Sequence, residues 1–133
     1  MISAIRTSVS GLNAASKSMA AHADNIANVR TTARVDKVST GTAEEVFRPE
    51  RVTNVSVRGG GVEAEVVPVE PSHEVVYSPD DANANEDGLV ALPNVNLDEE
   101  IVGMRQDRHA YMANLAVIRT ADEMAGALLD EKV

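Results

Sequence analysis

Apolar residues recur with a 3.5-residue period at both ends of this chain, and this constrains its fold more than any other feature. Near the start, Ile2, Ile5, Val9, Leu12, Ser16, Met19, Ala23 and Ile26 follow one another at alternating spacings of 3 and 4. Near the end, Leu97, Ile101, Met104, Arg108, Tyr111, Leu115, Ile118, Asp122, Ala125 and Leu129 do the same. Such a spacing puts each set on one face of a helix that needs a partner helix. Ser16 breaks the first seam; Arg108 and Asp122 break the second. Alanine fills many flanking positions, which favours helix and lets neighbours approach closely. The stretch Asn28-Val29-Arg30-Thr31-Thr32 ends the first helix, because Asn and β-branched residues weaken it. Asn96 is an apt N-cap for the second, with Glu99 three residues on as in a capping box. Asp98, Glu99 and Glu100 then sit where the helix dipole favours negative charge. At ~1.5 Å per residue the helices run roughly 40 Å and 50 Å. The simplest packing makes them a coiled coil in which each seam buries the other.

The middle of the chain changes period. Residues 33–50 read as a polar loop. Val52, Val55 and Val57 lead into Arg58-Gly59-Gly60-Gly61, and Val62, Ala64, Val66 and Val67 follow. Two β-branched runs about a glycine-rich turn predict a hairpin. Val62, Ala64 and Val66 alternate with Glu63 and Glu65, so one face is wet. Pro68 and Pro71 end that strand or place it at an edge. Val75-Val76-Tyr77 is a third strand candidate. Residues 78–88 are a turn-rich loop, and Leu89-Val90-Ala91-Leu92 leads to Pro93. The expected fold class is α+β: two long terminal heptad helices forming a coiled coil, with a small antiparallel β middle unit. The expected boundaries are 1–30, 31–94 and 95–133.

Composition fits that division. Only 2% of residues are aromatic, namely Phe47, Tyr77 and Tyr111. Rings supply much of the buried area of compact domains, so the core here is poor. The net charge of −9 is uneven. Residues 1–58 carry +3 and residues 59–133 carry −12, and Gly59 to Met104 holds eleven acids and no Lys or Arg. That stretch is a solvated face or a contact face for a basic neighbour, and it repels phosphate, so nucleic acid is not an expected partner. The absence of cysteine excludes disulfides and thiolate sites. No run of 18 apolar residues exists to span a membrane. Ser8, Ser10, Asn13, Ser16 and Lys17 interrupt the N-terminal apolar residues, so no cleavable signal peptide is expected.

No motif for chemistry survives inspection. Asp81, Asn83, Asn85 and Asp87 imitate positions 1, 3, 5 and 7 of a calcium loop. Position 6 is Glu86 rather than Gly, however, and position 12 is Leu92 rather than Glu. His22, His73 and His109 stand alone, whereas zinc needs three or four converging ligands. Gly59-Gly60-Gly61 lacks the Lys-Ser/Thr of a phosphate loop. Ser10-Gly11 lacks the glycine pattern of a nucleophile elbow. The expectation is therefore no catalytic residue, no cofactor, no metal and no small-molecule substrate. Two long terminal helices that need partners point instead to polymerisation.

Particular residues sharpen this. Ser8-Val9-Ser10-Gly11-Leu12-Asn13-Ala14-Ala15, with Asn25-Ile26-Ala27-Asn28, resembles the opening signature of flagellar rod and hook proteins. Asn94-Val95-Asn96-Leu97, Glu99-Glu100, Arg108 to Asn114 and Thr120 to Met124 are similar to that family's closing signature. Val76-Tyr77-Ser78-Pro79-Asp80, Glu86-Asp87-Gly88-Leu89-Val90 and Pro93-Asn94-Val95-Asn96 resemble the short proximal-rod subunits of the FlgC type. Asp24 and Arg30 depart from the usual pattern, and Gly103 and Gly126 fall inside a predicted helix.

The resemblance implies a non-enzymatic structural subunit, exported unfolded by the flagellar type III route and assembled in the periplasmic rod of the basal body. Its implied partners are copies of itself, other rod proteins, and the base of the rod at the membrane ring and export channel. The expected assembly interface is Ile2, Ile5, Val9, Leu12, Met19, Ile26, Leu97, Ile101, Met104, Tyr111, Leu115, Ile118 and Leu129. The rival reading is a small acidic helical export chaperone or adaptor, which would also be acidic and cysteine-free.

Overall fold

The computed structural model describes residues 2–36 and 47–130. The first heptad segment is helix α1, Ile2–Asn28, and the last is helix α2, Leu97–Asp130. Asn96 caps α2 as expected: its Oδ1 accepts from the backbone N–H of Asp98 at 3.1 Å and of Glu99 at 3.4 Å. The two helices pack on each other along their length. Gly11 meets Asn114, and His22 meets Gly103 and Glu100, so they run antiparallel. No helix among the described residues is long and apolar enough to cross a membrane.

The middle is antiparallel β structure, giving the expected α+β class, but it forms two sheets rather than one unit. Strands β2 (Glu50–Ser56) and β3 (Val62–Pro68) make the predicted hairpin, with Val52 opposite Val66 and Asn54 opposite Ala64. Its tip, Gly59 to Gly61, has positive φ throughout, which glycine alone adopts without strain. The hairpin lies along α1 and is tied to it at three levels. Ser10 Oγ accepts from Val62 N at 3.1 Å, Lys17 Nζ donates to Ala64 O at 2.9 Å, and Asn25 bridges both backbone polar groups of Glu50. Helix α1 is thus held between α2 on one side and the hairpin on another.

The second sheet has strand order β1-β5-β4, from Ala33–Arg34, Leu89–Pro93 and His73–Tyr77. Strand β1 falls where the sequence reads as loop. Two residues are too few to show a period, and they pair only because Ala33 is buried opposite Ala91. The rest of that loop, residues 37–46, lies outside the described residues. Val90 and Ala91 are fully enclosed, so this small sheet buries the centre of its middle strand completely.

The calcium-like loop has a structural use. Asp81 Oδ1 accepts from Asn83 N at 2.8 Å and from the Thr32 hydroxyl at 3.1 Å. Asn83 Nδ2 donates to Thr32 O, and Asn85 Oδ1 accepts from Asp87 N and Leu89 N. These are Asx turns that tie the loop to the segment after α1. Their oxygens are occupied by N–H and O–H donors rather than aimed at one point. Calcium at millimolar concentration is therefore expected to leave the urea unfolding midpoint unchanged; a raised midpoint, or micromolar affinity by calorimetry, would contradict this role.

Candidate assembly interface

The helix pair does not close on its apolar seams. The α1 residues that meet α2 are Ala4, Gly11, Ala15, His22 and Asn25, with buried Ser8 on the same face, each one residue before the expected seam. On α2 the matching face is Glu100, Gly103, Asp107, Ala110, Asn114 and Ala121, again one residue early. One residue is a turn of ~100° about a helix. The expectation that each seam buries the other is therefore corrected: the pair closes on small and polar residues. The physical reason is distance. A Cβ on Gly11 would lie 2.7 Å from the Asn114 side chain, and one on Gly103 would lie 2.6 Å from the His22 ring. Gly103 costs ~1 kcal/mol of helix propensity against Ala, and it is present because the imidazole occupies the space a methyl would fill.

A polar clamp fixes this contact. His22 Nδ1 bonds the Glu100 carboxylate, and His22 Nε2 lies 3.4 Å from Asp107 Oδ2. The second contact lacks hydrogen-bond geometry, and Asp107 Oδ2 is closed to solvent with no hydrogen-bond partner. Asn25, 1% exposed, donates from Nδ2 to Glu50 O at 2.7 Å and to Glu100 Oε1 at 3.0 Å, and accepts from Glu50 N at 3.0 Å. Four side chains and one strand backbone thus fix the register of α1, α2 and β2. No group of three or more His, Cys, Asp or Glu among the described residues is arranged to hold a metal.

The apolar seams split. Ile5, Leu12, Met19 and Ile26 on α1 are half-buried, as are Met104, Tyr111 and Ile118 on α2. They flank the small-residue contact. The members between them face out: Ile2 at 77% exposure and Val9 on α1, and Leu97, Ile101, Leu115 at 39% and Leu129 at 74% on α2. The alternation holds along α1 and from Ile101 onward on α2, where Leu97 and Ile101 are both exposed, so nearly every heptad gives one half-buried position and one to the surface. Sequence reasoning missed a second exposed stripe on α2, Val117, Met124 and Leu128, which borders an apolar groove with Ala4, Ala116 and Ala121. Its spacings of 7 and 4 become visible only when two faces of one helix are sought. The chain exposes 9366 Å² in all, against roughly 6,700 Å² for a compact monomer of its mass.

Comparison with known proteins agrees at both ends and in between. Residues 5–33 match the family described as flagella basal body rod protein, and residues 86–131 match flagellar basal body rod FlgEFG protein C-terminal. The flagellar basal-body rod protein FlgC of Agrobacterium fabrum is 32% identical over 91% of this chain and 87% of its own length. The chain belongs to the FlgC family of flagellar basal-body rod proteins. FlgC of Salmonella typhimurium is 29% identical, over 86% of this chain and 85% of its own. FlgC of Borreliella burgdorferi is 28% identical, over 93% and 92%. Matches to FlgC across nearly the whole length leave the export-chaperone reading without support. The two family matches also span most of α1 and all of α2, the helices that carry the split seams.

The two interior glycines of α2 separate close approach from propensity. Gly103→Ala is expected to lower the urea unfolding free energy by about 1 kcal/mol or more, because the methyl meets an imidazole held between two carboxylates. Gly126→Ala, with nothing within 4 Å of the new carbon, is expected to raise it by up to ~1 kcal/mol. Equal effects of the same sign would contradict this packing.

Proposed function

We propose that this chain is a structural subunit of the flagellar rod that assembles by burying the outward half of its heptad seams against neighbouring subunits. The observation that carries the reading is the exposed half of the seams: Ile2, Val9, Leu97, Ile101, Leu115 and Leu129 are large apolar side chains left exposed at heptad positions. Burying the remaining surface of one such side chain gains roughly 1 kcal/mol. Several per subunit give a gain of the same order as the loss of rotational and translational freedom on association, a loss each subunit incurs once while it can contact more than one neighbour. A heterologous contact whose rotation does not close builds such a polymer.

On this reading the partners are further copies, the other rod proteins, and the base of the rod at the membrane ring and export channel. The subunit works in the periplasmic part of the basal body. Its action is mechanical. The clamp of His22, Asn25, Glu100 and Asp107 holds the helix pair rigid inside each subunit, and the exposed seams pass torque between subunits. No step of this requires a cofactor or a substrate.

Leu115 tests the reading because it sits on the outward face of α2, between Met112 and Arg119 along one stripe. Leu115→Asp is expected to leave the cellular level, export and isolated fold unchanged, because the side chain is already partly in water. In an assembled rod the same carboxylate is taken out of water in an apolar contact, and a single neighbouring guanidinium, Arg119 one turn on, offsets only part of a cost on the order of several kcal/mol per subunit. The expected result is no rod and no motility. Ala113→Ser, also exposed, is expected to be mild. Basal bodies imaged from cells carrying each variant decide it: normal rods built from the Leu115→Asp protein would refute this seam as an assembly surface.

A further inference from the structure

One face of α2 pairs charge with apolar surface in a way that the seams alone do not explain. Ile101, Arg105, Arg108, Met112, Leu115 and Arg119 follow at spacings of 4, 3, 4, 3 and 4, and all are exposed. Three guanidinium groups, two of them adjacent at Arg105 and Arg108, therefore share one stripe with three apolar side chains. Arg105, Arg108 and Met112 line a shallow groove together with His109. None of these three arginines makes an ion pair with a described residue.

A surface of the opposite kind lies on strand β4. The strand is at a sheet edge and pairs only with β5 among the described residues. Val75 is 52% and Tyr77 69% exposed, and in a strand the two share one face. Exposed Glu74 precedes them, and exposed Asp80 follows. Consecutive apolar residues on an exposed edge strand are a liability that folded chains blunt or cover. Nothing described in this chain covers them.

We infer that the β4 surface of one copy docks on the Arg105–Arg108–Met112 groove of a second copy. The argument is complementarity carried within one chain. The stretch from Gly59 to Met104 has eleven acids and no basic residue, and the first basic residues after it are Arg105 and Arg108. Val75 and Tyr77 meet the methylene stems and Met112, the guanidinium groups reach Asp80 beyond the strand end and, around the open strand edge, Glu74 on its other face, and an arginine over the Tyr77 ring adds a cation–π contact. Both surfaces are exposed in the same copy, so they do not cover each other. Two different patches that fit one another make a heterologous contact, which extends rather than closes. This contact rests on the rod reading and adds to it a specific lateral pairing between copies.

The absence of native cysteine allows a direct test. The doubly substituted Tyr77→Cys/Met112→Cys protein, expressed in place of the wild type, is oxidised in isolated basal bodies. The expected result is a ladder at multiples of 14.1 kDa that neither single variant gives. In parallel, Arg105→Glu/Arg108→Glu is expected to cut the number of rod-bearing basal bodies by roughly ten-fold or more. Adding Glu74→Lys/Asp80→Lys should restore most of them, which a merely misfolded variant would not allow. Normal rods from the double arginine variant would overturn the contact and leave the rod reading standing. So would cross-links that join the thiol introduced on β4 only to a different protein. If the wild-type chain were absent from basal bodies altogether, the rod reading itself would fall, and this contact with it.

Discussion

Close approach of α1 to α2 through small side chains is the contact on which the rest of the structure depends. Gly11, Ala15 and Gly103 remove the bulk that would hold the helices apart. Into the space go the His22 ring and the Asn114 amide, groups that bond rather than merely fill. Once the helices meet on that face, the bulky residues of each seam are turned away from it. Half of them rest against the partner helix and half reach solvent. The hairpin closes another side of α1 through Ser10, Lys17 and Asn25, so only the side bearing Ile2 and Val9 stays open. Among the described residues the fully buried apolar side chains are no larger than valine, and the exposed surface is large.

The clamp adds specificity that apolar packing lacks. A heptad pair slides readily by one turn, because one aliphatic contact resembles the next. A slip of α1 against α2 would part His22 from Glu100 and Asp107, and Asn25 from Glu100 and the Glu50 backbone. Each buried group so stranded costs more than its net worth when paired. Polar groups thus set the register inside the subunit, and on the proposed reading the apolar ones hold subunits together. That division explains why a chain with so few aromatic residues can still form an ordered helix pair.

Much of this is legible in the sequence, for reasons specific to each element. Long periodic segments with a capping Asn96 place both helices within a few residues of their observed ends, because a 3.5-residue repeat over many turns has no other solution. The hairpin is legible from Val62, Ala64 and Val66 alternating about a glycine run. The face on which the helices pair is not. An apolar stripe signals that a helix needs neighbours, but it does not say whether they belong to the same chain. Glycines at 11 and 103 carry that information, and it becomes readable only when the opposite side chains are known. Strand β1 is hidden because a two-residue strand has no period. In the sequence His22 is one of three single histidines without a local partner. That it belongs to a register clamp depends on carboxylates 78 and 85 residues away in the chain, beyond any local pattern.

The most direct test of this account is a cryo-EM map of a native basal body at side-chain resolution, with this subunit located in the rod. The account predicts that Gly11, His22, Gly103 and Asn114 face each other within one subunit, while Ile2, Val9 and Leu115 are buried against neighbours. A map in which Ile2, Val9 and Leu115 remain exposed, or in which α1 and α2 of one subunit have re-paired through their apolar seams, would contradict it.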